Sequence, residues 1–351
     1  MKLRTLFTFP LLILMLSACN SNSDSNRSGD SEPPPAGDQP STLTLSQADG
    51  YSENLDKILQ TPNTNLAKLV QRVRGRIGAL RSGSISIIGT NSETGLAFYA
   101  SANHVYGLSS WPGFDETHIS NFIDQGVYIT SHRVMEDGDI NIWDNFAANF
   151  PLYHPTISDD AQNTSILPAD DFYLGLLDSQ SIPFTNLARY PEDINSQTPI
   201  ALYDPDKLLS SGNTWSEAPA GKKVLALGYP QDSVSHPYGL VSVGSILSHQ
   251  AAEQAIAELK AQGDEEGDIP YQQDVEFIAN LPAEAGMSGG GIFNEQGQLI
   301  GVMVRSTQTA SASYTRAVRI SYIHSVFKQY LASRSADEKA HLAKFVDKSF
   351  L

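Results

Sequence analysis

Serine, histidine and carboxylate side chains do the most chemistry when a serine lies in a glycine-rich turn, and one segment of this chain is built that way. It reads Gly286-Met287-Ser288-Gly289-Gly290-Gly291 and stands between two strand-like segments. A serine hydroxyl is a weak nucleophile until a base takes its proton and fixed donors stabilise the oxyanion. Glycines let the backbone turn tightly and offer N–H groups without a Cβ in the way. Gly286 and Ser288 are the expected oxyanion donors. Taken alone, the segment also reads as a glycine-rich hairpin turn with an incidental serine.

A base is therefore required, and there are eight histidines. His104 follows an apolar strand and a small-residue turn in Phe98-Tyr-Ala-Ser-Ala-Asn-His104-Val-Tyr. His132 in Tyr128-Ile-Thr-Ser-His-Arg-Val is the alternative, with a poorer strand pair before it. For either one, a structural histidine is the plain reading. The third member is a carboxylate that fixes the imidazole tautomer and stabilises the imidazolium. Asp170-Asp171-Phe-Tyr-Leu-Gly-Leu-Leu supplies two, with Asp171 preferred, Asp170 beside it, and Asp139 a weaker alternative before Ile140. The pair also reads as a solvated strand start.

Composition narrows the rest. The 351 residues are 40% hydrophobic, enough for a sizeable core. The formal charge is −16, from 39 acidic against 23 basic residues. No run of Lys and Arg is long enough to track a phosphate backbone, which argues against a nucleic-acid partner. A single cysteine, Cys19, excludes an intramolecular disulfide and a thiolate zinc site. Asp137, Asp139 and Asn141 are too few and wrongly spaced for a calcium loop. Neither metal nor cofactor is expected.

The elements that must carry these residues are mostly strands. Strand-like runs begin at Ser84, Leu96, Gly126, Ile140, Phe172, Lys223, Leu240, Asp274, Gly291 and Leu299, without long helices between them, which argues an all-β barrel or sandwich. Leu66, Leu69, Val70, Val73, Ile77 and Leu80 recur at helical steps and predict an amphipathic helix capped by Asn65, with a basic, solvated opposite face. A second helix is expected from Ala251 to Gln262, ahead of the acidic turn Gly263–Asp268, either capping a cleft or forming a solvated excursion. A third begins near Ser321, with Ile323, Val326, Phe327 and Leu331 in step.

The motifs resemble those of chymotrypsin-like serine peptidases, the bacterial high-temperature-requirement proteases among them. Ser101-Ala-Asn-His-Val resembles their Thr-Ala-Ala-His and Thr-Asn-Asn-His-Val turns, and Asp171-Phe-Tyr-Leu-Gly-Leu-Leu their Asp-Ile-Ala-Leu-Leu strand. Val224-Leu-Ala-Leu-Gly-Tyr-Pro, Val241-Ser-Val-Gly-Ser-Ile and Gly297-Gln-Leu-Ile-Gly-Val resemble strands of their second barrel. The order His104, Asp171, Ser288 is also theirs, unlike that of subtilisins or α/β-hydrolases. The resemblance covers about residues 84 to 330. It implies a double six-stranded antiparallel β-barrel with an N-terminal and a C-terminal helix, acting as a serine endopeptidase on a protein or peptide substrate. An inactive trypsin-like fold that binds peptides or an envelope partner is the alternative. The long interval between His104 and Asp171, Gly291 in place of proline, and Tyr173 with Gly175 depart from the family pattern. The primary pocket is expected near Pro282 and Met303 to Ser306, favouring an apolar or small side chain, with Arg305 offering a site for an acidic one.

The beginning of the chain resembles a bacterial lipoprotein signal. Lys2 and Arg4 precede an apolar stretch from Leu6 to Leu16, and Leu16-Ser17-Ala18-Cys19 resembles a lipobox. The apolar run is too short for a spanning helix. This reading makes residues 1–18 a cleaved signal, lipidates Cys19, and places the protein at the cell envelope. Asn20 after the cysteine implies outer-membrane sorting in a Gram-negative host. Residues 19–50 read as a Ser-, Asn- and Pro-rich disordered tether, 51–82 as a helical lead-in, 83–330 as the peptidase domain and 331–351 as a helical tail.

Overall fold

Alternation of serine and isoleucine along Ser84–Ile88 sends the isoleucines into a core and leaves the serines on the opposite face, as a pleated strand requires. This run belongs to one of two antiparallel sheets in the computed structural model. The structure describes residues 41–79, 83–91, 96–106, 132–134, 140–142, 149–155, 166–178, 214–309, 312–343, 346 and 350–351.

The chain enters through β1 (Tyr51–Asn54), α1 (Leu55–Leu59) and α2 (Asn65–Val73). The first sheet contains β2 (Ile77–Ala79), β3 (Ser84–Asn91), β4 (Leu96–Ser101), β7 (Asn149–Tyr153) and β8 (Tyr173–Asp178), in the order β2-β3-β4-β8-β7. Between β4 and β7 lie a single helical turn, α3 (Asn103–Tyr106), and a separate ribbon of β5 (His132–Val134) and β6 (Ile140–Ile142).

The second sheet joins β1 to β9 (Lys223–Gly228), β10 (Leu240–Ser245), β11 (Glu276–Ala279), β12 (Gly291–Phe293), β13 (Leu299–Gln308) and β14 (Ser313–Arg319). Its order is β1-β10-β9-β12-β13-β14-β11. The far edge curls back: Leu247 N–H donates to Ile278 O at 2.9 Å and Asn280 N–H to Ser245 O at 3.1 Å, joining β11 to the end of β10. Helix α4 (His249–Gln262) fills the β10–β11 connection, and α5 (Ile320–Ala332) and α6 (Ala336–Leu342) follow β14.

Strand β9 is buried on both faces, since Val224 and Ala226 pack inside the second sheet while Leu225 and Leu227 join the larger core. That larger core lies among β3, β4, β8, α2 and α5, where Phe98, Phe327 and Phe350 pack ring to ring. Phe350 is fully buried, so the end of the tail segment is part of the core.

Four expectations change. Among the described residues the sheets have seven and five strands rather than six and six. The seventh is β1, four residues of the helical lead-in that gain backbone partners along β10, with Tyr51 opposite Val243. The helix from Asn65 stops at Val73; a 3₁₀ turn, Arg74–Arg76, follows, and Ile77 starts a strand. Gly75 and Gly78 disfavour continuing the helix. Its cap is Thr64, whose Oγ1 accepts from Ala67 N–H at 3.1 Å. Finally, residues 41–45, placed by composition in the tether, lie on the body: Glu295 accepts from Leu43 N–H through its backbone and from Leu45 N–H through its carboxylate, and Leu45 is buried.

The signal segment, Cys19 and the strand-like run at Gly126 lie outside the described residues. Among the described residues no helix is long and apolar enough to cross a membrane.

Candidate active site

Strand β4 runs through buried Phe98, Tyr99 and Ala100, and the chain then turns through Ala102 into α3, which carries His104. Antiparallel pairing of β4 with β8 sets Ser101 opposite Tyr173. Asp171, two residues before Tyr173, thereby comes beside His104. A turn precedes it, in which Asp170 N–H donates to Leu167 O at 2.9 Å and Asp171 N–H to Pro168 O at 3.3 Å.

The Asp171 carboxylate is fully buried and meets His104 twice. Oδ1 accepts from the His104 backbone N–H at 3.0 Å, and the ring Nδ1 lies 2.8 Å from Oδ2 and 3.0 Å from Oδ1. An ionised carboxylate only accepts, so Nδ1 carries the proton and Nε2 of the neutral ring keeps its lone pair. The imidazole is 22% exposed, open enough for a reactant to reach.

Asn103 acts beside them. Its Nδ2 donates to Pro155 O and to Asp170 O, each at 3.1 Å, tying the aspartate turn to the histidine turn. Asp170 takes part through this carbonyl; the contact with the His104 ring belongs to Asp171. Burial, and then the charge of Asp171, hold the Asp170 carboxyl above the usual aspartate range.

Ser288 sits half-buried in a turn that only glycine permits. Gly286 has φ 98° and Gly289 φ 88°. A Cβ on Gly286 would fall 2.4 Å from Gln231 N, and one on Gly289 1.9 Å from Ser84 O. Met287 N–H donates to Glu284 O, Gly289 N–H to Met303 O, and Gly290 N–H to Met287 O. Among the described residues the N–H groups of Gly286 and Ser288 have no acceptor, so both are available to an incoming anion.

A seam of hydroxyls fastens this turn to the first sheet. Ser84 N–H donates to Ser288 O at 2.7 Å and Ser84 Oγ to Gly286 O at 2.9 Å, while Ser84 Oγ accepts from Tyr229 N–H at 2.9 Å. Ser86 Oγ donates to Gly289 O at 2.9 Å, and Ser101 Oγ to Ser84 O at 2.7 Å. A Cβ placed on Gly83 would meet both the Val105 side chain and the Ser288 carbonyl. The Ser288 backbone and the neighbour of His104 thus converge on one glycine. Among the described residues, Ser288 Oγ and His104 Nε2 are not hydrogen-bonded to one another.

The structure therefore brings His104 and Asp171 into contact and anchors the Ser288 turn to the strand pair that leads to them. His132 starts the separate β5–β6 ribbon, and its side chain lies outside the described residues, as does Asp139. Asn141 is in that ribbon too, and among the described residues no three His, Cys, Asp or Glu side chains are placed to hold a metal ion. Arg305 is only 7% exposed and paired with Glu266 at 2.9 Å, so it is not the open anchor expected for an acidic side chain. The residues that sequence reasoning missed are Ser84, Ser86 and Asn103. The one available sign was the hydroxyl alternation of β3.

No protein-family model matches this chain, and no curated protein matches it. Solved structures similar to it include the MamO protease domain from Magnetospirillum magneticum in its apo form, at 14% identity and TM-score 0.35, with 72% of this chain and 96% of that chain covered. Another is Rv3671c from M. tuberculosis, an inactive serine-to-alanine mutant, at 14% identity and TM-score 0.36, with 76% of this chain and 92% of that one covered. A third is the HtrA-type protease AlgW with tripeptide, at 16% identity and TM-score 0.37, with 75% of this chain and 62% of that one covered.

Proposed function

We propose that this chain is a serine endopeptidase whose nucleophile is Ser288, whose general base and acid is His104, and whose orienting carboxylate is Asp171. The observation that carries this reading is the Nδ1–carboxylate contact of 2.8 Å, which leaves Nε2 as the basic atom of a partly exposed ring. The glycine turn with its two unengaged donors supports it.

In the proposed course Ser288 Oγ gives its proton to His104 Nε2 and bonds to the substrate carbonyl carbon. The carbonyl oxygen becomes an anion held by the Gly286 and Ser288 N–H groups. The C–N bond then breaks, and His104 returns the proton to the departing amine. Water repeats the sequence on the acyl-enzyme. Asp171 holds the ring and stabilises the imidazolium throughout. Within this reading the two sheets are the halves of a chymotrypsin-like pair of barrels, the substrate is a peptide or protein, and Cys19 carries the lipid that anchors the protein at the cell envelope.

One observation favours a second reading, a binding scaffold without turnover: the missing hydrogen bond between Ser288 Oγ and His104 Nε2. Such bonds are often long before substrate arrives. Fluorophosphonate labelling separates the two. The peptidase reading expects covalent labelling of the wild type, lost in Ser288→Ala and in His104→Ala. A wild type that stays unlabelled between about pH 7 and 9 overturns it.

A further inference from the structure

Strand β13 carries a bulge beside the site. Met303 stands opposite Ala317 and Arg305 opposite Arg316, leaving Val304 without a partner. Two arginines facing each other across a ladder repel unless carboxylates lie between them. Glu276 serves Arg316, with Oε2 2.8 Å from Nε and Oε1 2.7 Å from Nη2, all buried. Glu266 serves Arg305, with Oε1 2.9 Å from Nη1, and its other oxygen stands 3.7 Å from Arg316 Nη1.

Glu266 belongs to the short 3₁₀ turn that follows α4, and this turn is itself fastened in place by hydrogen bonds and close packing. Asp264 Oδ1 accepts from Glu266 N–H at 2.9 Å, Asp264 Oδ2 from Thr307 Oγ1 at 2.7 Å, and Gly267 packs so closely that a Cβ would strike the Lys260 backbone. From Arg305, Nη2 donates to Ile166 O at 2.6 Å. Ile166 begins the short stretch that ends at Asp171, and Asn103 grips the other end through Asp170 O. The turn below Asp171 is therefore held from the first sheet by Asn103 and from the second by Arg305.

We propose that Arg305 is a positioning residue through which the helical insert, by way of Glu266, sets the place of the Asp171 carboxylate against His104. The activity affected is the peptidase reaction proposed above, so the proposal rests on that reading for its kinetic consequences. Arginine suits the task because its fork serves two acceptors lying in different directions, which a single ammonium nitrogen does not span. A turn released at Ile166 leaves Asp171 less firmly placed. The imidazolium is then less stabilised and the acid limb of the rate profile moves to lower pH.

The test compares Arg305→Met and Glu266→Gln with the wild type, the second variant keeping size and shape so that misfolding of the first does not end the test. In each, kcat on a peptide ester falls about tenfold while KM stays within about twofold, and the acid limb of kcat/KM shifts downward. Arg305→Lys recovers only part of the rate. Independently of turnover, the low-field proton resonance of His104 Nδ1–H moves upfield or broadens in both variants. An unmoved resonance together with an unmoved acid limb, even alongside a lower Tm, overturns the proposal. A wild type that is never labelled by fluorophosphonate overturns the peptidase reading instead, and the resonance still decides whether Arg305 sets Asp171.

Discussion

The Ser84 hydroxyl donates to the carbonyl of Gly286 at 2.9 Å while accepting the N–H of Tyr229, so one buried side chain joins the first sheet to both the Ser288 turn and β9. Ser84→Ala leaves two buried backbone groups without partners, at about 1–3 kcal/mol each. Urea unfolding should show a loss in that range or above, and labelling of Ser288 should slow. Ser84→Thr, which keeps the hydroxyl, should recover part of both.

Gly289→Ala tests the same junction from the other side. The new methyl would lie 1.9 Å from Ser84 O at a φ of 88°, so the backbone must move. Strain and the broken seam together should exceed about 3 kcal/mol. A midpoint in denaturant unchanged from wild type would contradict this packing.

Asp171→Asn keeps the volume but offers an amide to a ring that needs an acceptor at Nδ1. Turnover should fall by about four orders of magnitude, as expected when the tautomer is lost. The amide oxygen of Asn still accepts the His104 backbone N–H that Asp171 Oδ1 accepts, so the backbone of the turn should hold and stability should change much less than turnover. Burst kinetics with an active-site titrant, beside a denaturation midpoint, check both.

Asp170 supplies a pH signature of different sign. Burial and the neighbouring Asp171 raise its folded-state value above the unfolded one. Folding then favours the protonated carboxyl, so the stability linked to this group is present in acid and is lost as pH rises through the carboxylate range. Asp170→Asn removes that penalty. Its Tm should match wild type in acid and exceed it at neutral pH. A Tm difference independent of pH would refute the assignment.

How much of this was legible beforehand depended on sequence distance. The surroundings of His104 and Asp171 are local runs of strand and turn, and their meeting follows from β4 pairing with β8. The Ser84–Gly286 contact spans 202 residues, and nothing in Ser84-Ile-Ser-Ile says what its hydroxyls face. Arg305 read as a pocket residue open to an acidic side chain because its carboxylate partner lies 39 residues earlier, inside an insert. The α2 pattern ran on past Val73 because Ile77 and Leu80 continue the same spacing, although two glycines had already weakened the helix. Strand β1 carries no apolar alternation at all; it exists because β10 offers an open edge.

The join between the sheets has one more consequence. Greasy surfaces can slide over one another at little energetic penalty, whereas hydroxyl-to-carbonyl bonds tolerate displacements of only a few tenths of an ångström. Ser84 and Ser86 thus work as locating pins, with Ser101 bracing Ser84 from within the first sheet. Replacing these pins with alanine would let the two halves drift out of alignment, and the chemistry would fade without any reactive group having been touched.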